Sequence, residues 1–123
     1  MSFLLAAVGT WCKQRILSRL LLGVALLGVV ALFVLGAQPF AVGIVPPPYD
    51  KLAHAALFGC LFLVLDRALV VPLGLALALP LLISAADEFH QMFLPGRDAS
   101  FADWLAGLCG VALTAIWRRS REA

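Results

Sequence analysis

Between Asp87 and Asp103 the chain reads DEFHQMFLPGRDASFAD, and seven of these 17 positions are Asp87, Glu88, His90, Gln91, Arg97, Asp98 and Asp103. Long apolar runs flank the stretch on both sides. Charge beside such runs is costly unless it has partners, a function or an interface. An earlier cluster, Asp50, Lys51 and His54, has the same character. These residue types support proton transfer, through His and the acids, and anion binding, through Lys and Arg. Asp50 and His54 are four apart and share a helix face, and Lys51 and His54 are three apart. Glu88 and Gln91 are three apart and Asp87 and Gln91 four apart, so one acid shares a face with the amide. Two adjacent acids at the C-terminal end of a helix oppose its macrodipole, which argues for a role beyond helix stability.

Structural explanations stand beside these readings. Asp50 suits a helix N-terminus, Lys51 can snorkel, and Arg97 can pair with Asp98 or Asp103. Ser100 and Asp103 fit a capping box at the start of a helix. His90 is rotated about 200° from Glu88 at roughly 100° per residue, which places it outside the same site. No His-x-x-x-His or His-Glu-x-x-His spacing occurs, so neither a metal nor another cofactor is expected. Ser100 lacks a nucleophile-elbow motif.

The elements that must position these residues follow from composition. Of 123 residues, 63% are hydrophobic and 13% charged, and the mean hydropathy is +1.04. Soluble domains carry about 25% charged residues. The expected fold is therefore all-α, an integral membrane four-helix transmembrane bundle, with the lipid bilayer as its surroundings. No basic run carries interleaved aromatics, so no nucleic-acid partner is expected. Cys12, Cys60 and Cys109 imply neither a disulfide framework nor a zinc site.

Residues 1–12 are apolar but too short to span, and segment 1–19 is expected to be cytoplasmic or interfacial. The spans are expected at about 20–37, 49–66, 68–89 and 101–117, with 118–123 as a basic cytoplasmic tail. Pro46-Pro47-Pro48 separates the first two, Pro80 should kink the third, and Pro95-Gly96 marks a turn before the fourth. Ala106 and Gly110 form a small-xxx-small pair, and Asp103, Gly107 and Gly110 share a face suited to close helix packing. Seven of the nine basic residues fall on the terminal side: Lys13, Arg15, Arg19, Arg67, Arg118, Arg119 and Arg121. The positive-inside rule then predicts both termini in the cytoplasm. Asp50, Asp87, Glu88, Asp98 and Asp103 fall at the outer ends, so both polar clusters are expected to meet at one outer face.

Tyr49-Asp50-Lys51-x-x-His54, Asp87-Glu88-x-x-Gln91, Pro95-Gly96-Arg97 and Asp103 resemble the VanZ-like family in order and spacing. Members of that family are small four-span membrane proteins, named for a glycopeptide (teicoplanin) resistance determinant. The likeness runs from about Tyr49 to Trp117 and implies a bacterial inner-membrane protein. Its pattern marks Asp50, Lys51, His54, Glu88, Gln91, Arg97, Ser100 and Asp103. The family's Asn after the last Asp is missing here, where Ala106 or Gly107 stands.

The functional expectation is a site facing the periplasm that binds or processes an anionic, lipid-linked or peptidoglycan-derived precursor. His54, Glu88, Asp50 and Asp103 form the expected catalytic set, with His54 as general acid or base and Glu88 as second proton carrier. Lys51, Gln91, Arg97 and Ser100 are expected to bind substrate. The alternatives are a non-catalytic binding or accessory protein, whose polar cluster is a structural clasp, and a proton-coupled carrier. The carrier is weakened by the lack of an acid midway through any span.

Overall fold

Leu20 to Gly36 contains no charge and no proline, so nothing interrupts helical hydrogen bonding there. The computed structural model, which describes residues 1–123, carries this helix back through the basic flank to the N-terminus. Helix α1 is thus Ser2–Gly36, about 52 Å long at roughly 1.5 Å per residue. Residues 1–12 form its first three turns rather than a separate segment. A 3-10 turn at Pro39–Ala41 and the proline run lead to α2, Tyr49–Ala68. Helix α3 is Leu73–Gln91 and α4 is Phe101–Glu122. The fold is all-α, four long helices and no strand.

Two boundaries differ from expectation. Helix α3 begins at Leu73, not near Ala68. Leu69 and Pro72 are extended, with ψ of 131° and 147°, and Pro72 disfavours helical geometry in Val71 before it, so α3 starts only after the proline. Helix α4 continues through the basic residues to Glu122, where Arg118 pairs with Asp66 of α2 and with Glu122 at 3.1 Å. Pro80 is buried inside α3 without dividing it in two.

Phe58, Phe62, Ala76, Val111 and Ala115 make the core, drawn from α2, α3 and α4. The axis of the bundle is the α2–α4 contact. A Cβ on Gly110 would overlap the backbone of Ala55, and one on Gly59 would lie 3.0 Å from the Gly110 carbonyl oxygen. Only Ala25 of α1 is buried, so this helix packs on the periphery. Just 17 of 123 residues are buried, while Leu26, Leu27, Val30, Leu82, Leu113 and Ile116 face outward. An apolar exterior on this scale needs a nonaqueous surrounding or a partner. Helices α1 and α3 are long and apolar enough to cross a membrane.

Candidate functional site

The first turns of α2 and α4 and the last turns of α3 meet at one end of the bundle. Lys51 of α2 reaches Asp103 of α4 at 3.2 Å and its own neighbour Asp50 at 3.4 Å. His54 Nε2 lies 3.2 Å from Glu88 Oε1 and 4.0 Å from Asp87 Oδ2 of α3. Gln91 Nε2 donates to Asp87 Oδ2 at 2.9 Å. The Ser100 backbone N–H donates to Glu88 Oε2 at 2.8 Å. Asp50, Lys51, His54, Glu88, Gln91, Ser100 and Asp103 therefore lie in one cluster.

The details depart from the local expectations in three places. The His54 ring is held by the Asp50 backbone carbonyl, which Nδ1 meets at 2.9 Å, and not by the Asp50 carboxylate. That carboxylate accepts the Lys51 backbone N–H at 2.9 Å instead. The capping box does not form: the Ser100 hydroxyl caps nothing, its N–H serves Glu88, and Asp103 turns to Lys51. Of the two acids that spacing put within reach of Gln91, Asp87 is the one it serves, and a step of four residues returns closer to one helix face than a step of three. Arg97 pairs with neither Asp98 nor Asp103. It donates from Nη1 to the Ala41 carbonyl at 3.2 Å.

The aim of Arg97 is set by two turns. Pro95-Gly96 forms the expected turn: the Arg97 N–H donates to Leu94 O at 3.2 Å, and Gly96 has φ of 74°, the positive φ a type II turn needs at its third residue. Gly96 sits against Val42 of the α1–α2 connection, so this turn and that connection lie side by side. Arg97, Asp50 and His54 line a pocket of about 200 Å³ with Ala41, Gly43 and Val45.

Asp87 is the site residue that the sequence reading left out of the functional set. It is 3% exposed and faces His54. Its spacing from Gln91 was the available signal. His90, by contrast, packs tilted against Phe33 of α1, ring centroids 5.3 Å apart, and stands outside the cluster, as its rotation implied. Glu88 Oε1, Asp103 Oδ1 and Arg97 Nε are buried without an aligned hydrogen bond. The first two lie at ion-pair distance from His54 and Lys51, so proximity of charge and not hydrogen-bond geometry joins them. The expectation of no metal rested on spacings within a single helix. Across two helices, donor atoms of His54, Asp87 and Glu88 all lie within 4.8 Å of one another, which suits a cation.

No curated protein and no solved structure matches this chain. The family model described as VanZ/LLP1 matches residues 10–119. That match covers α2 and α3, most of α1 and α4 and every residue of the polar cluster, and the chain belongs to the VanZ/LLP1 family.

Proposed function

We propose that this chain is a four-span protein of the bacterial inner membrane that holds an anionic, lipid-linked or peptidoglycan-derived precursor at its outer end. Membership of the family supports that placing and suggests a link to glycopeptide resistance. One observation carries the binding reading. Arg97 has no carboxylate partner, its Nε is buried without a hydrogen bond, and it lines a pocket with His54 and Asp50. A guanidinium so placed has donors left for a phosphate or carboxylate. Lys51, 43% exposed in its side chain, is the second cation at the rim. His54, Glu88 and Asp87 form the chemical centre behind it, with Gln91, Ser100, Asp50 and Asp103 fixing the groups around them.

A second reading, the non-catalytic clasp, is favoured by the Lys51–Asp103 and Glu88–Ser100 contacts, which tie three segments together. A clasp built only for stability would leave few buried polar atoms without partners. The two readings part at Arg97. In nanodiscs, a fluorescent polyprenyl phosphate should bind the wild-type protein. Arg97→Lys should weaken binding about tenfold or more, since the planar fork is lost though the charge stays. Equal affinity in wild type, Arg97→Lys and Arg97→Gln would leave the clasp standing.

The seven-to-two split of basic residues supports both termini in the cytoplasm, with Ala99 outside. The native cysteines are all exposed and are first replaced by Ala. A single cysteine at Ala99 should then react with a membrane-impermeant thiol reagent in intact cells, and one at Ala123 should not. The reverse pattern overturns the orientation.

A further inference from the structure

We propose that His54 Nε2 and the carboxylates of Asp87 and Glu88 form a binding site for one first-row divalent cation. The site goes beyond the headgroup reading and does not depend on it.

The donors already converge. Nε2 lies 3.2 Å from Glu88 Oε1 and 4.0 Å from Asp87 Oδ2, and all three donors fall within 4.8 Å. Bonds of about 2.0–2.2 Å to an ion place its ligands about 3–3.5 Å apart. Closure therefore requires a side-chain shift of about an ångström.

Two of the three donors are also held by groups that stay clear of the convergence point. The Asp50 carbonyl takes the Nδ1 proton of His54, so Nε2 is the nitrogen that faces the carboxylates, and a metal ion would displace the proton that pairs it with Glu88. The Ser100 N–H holds Glu88 Oε2 and leaves Oε1 directed at His54. Gln91 holds Asp87. Partners of this kind set the tautomer and orientation of metal ligands. Glu88 Oε1 is itself buried without an aligned hydrogen bond, in a residue 9% exposed.

Charge points the same way. Four carboxylates, Asp50, Asp87, Glu88 and Asp103, crowd this end against two permanent cations, Lys51 and Arg97. Lys51 is taken by Asp50 and Asp103, and Arg97 faces a carbonyl. Asp87 and Glu88 thus share His54 as the one cationic side chain within 4.0 Å. Two buried carboxylates against one imidazolium leave negative charge in excess, and a divalent cation neutralises both. It also resolves a difficulty in the headgroup reading, because an excess of carboxylates repels an anion. One imidazole and two carboxylates suit zinc or manganese. Three protein ligands leave a position for an oxygen of water or of a bound phosphate. In this arrangement His54 and Glu88 act as ligands, which replaces the proton-carrying roles expected from the sequence.

The test uses the full chain in nanodiscs, with all three cysteines replaced by Ala and metal removed by chelator. Zn²⁺ and Mn²⁺ are titrated by equilibrium dialysis with elemental analysis. Saturable binding of one equivalent of either ion is expected. His54→Ala, Asp87→Asn and Glu88→Gln should each weaken it by about tenfold to a hundredfold or more, while His90→Ala leaves it unchanged. To keep the test independent of how the variants fold, Co²⁺ is added to the unsubstituted site. Visible absorption bands of a nitrogen- and oxygen-ligated ion, displaced by Zn²⁺, are expected. No saturable binding by the folded protein, or binding that survives His54→Ala combined with Glu88→Gln, overturns the site. Loss of headgroup binding on Arg97 substitution, with metal binding intact, separates the two proposals.

Discussion

Gly110→Ala should be the most disruptive single methyl in the chain. The added Cβ would meet the Cα, C and O atoms of Ala55, all closer than van der Waals contact allows. Those are backbone atoms, so no rotamer change relieves the overlap, and α2 must move away from α4. Overpacking of this kind costs about 1–3 kcal/mol, and the upper end is expected because backbone must shift. The consequence reaches the site. Ala55 follows His54, so moving α2 displaces the imidazole from Glu88 and Asp87, and Lys51 from Asp103. Reversible unfolding in mixed micelles should show the loss, and Zn²⁺ binding should fall with it. Gly74→Ala is the control: nothing lies within 4 Å of its added Cβ, and alanine should be neutral or stabilising by up to about 1 kcal/mol in a helix. Equal stability of Gly110→Ala and wild type would refute the close α2–α4 packing.

Glu88→Ala should have the second large effect, and a different one from Glu88→Gln. The alanine leaves the Ser100 N–H without its acceptor and removes the partner of His54. Breaking a buried charged pair from one side costs about 3–5 kcal/mol. Glutamine retains an acceptor for the Ser100 N–H and an amide that can donate to Nε2, so most of that stability should remain. Both variants lose a metal ligand. Measured in chelator, Glu88→Ala should unfold well below wild type and Glu88→Gln close to it. Similar stability for all three proteins would mean that the Glu88–Ser100 and Glu88–His54 contacts contribute little, and that α3 and the α3–α4 turn are held together by other means.

How much of this was legible beforehand divides along a physical line. Helical periodicity and the cost of placing charge beside apolar sequence are local, so they can be read from residue order. They identified four long helices, the Pro95-Gly96 turn, the convergence of Asp50, Lys51, His54, Glu88 and Asp103 at one end, and the exclusion of His90. They also marked the small face of α4 at Gly107 and Gly110, both of which are buried. The partner of that face was not readable, nor was the rotation of each helix about its axis. One residue along a helix is a turn of about 100°, so the choice between Asp87 and Glu88 as neighbour of His54 depends on that rotation. The structure sets it through the glycine contacts of α4 with Ala55 and Phe58, and it brings in both acids. The destinations of Arg97 and Ser100 had the same standing. Sequence alone offered Asp98, Asp103 and a capping box, each a neighbour along the chain. Tertiary packing chose Ala41, 56 residues away, and Glu88, 12 residues away, because the two turns at that end of the bundle lie side by side and only the assembled bundle puts them there.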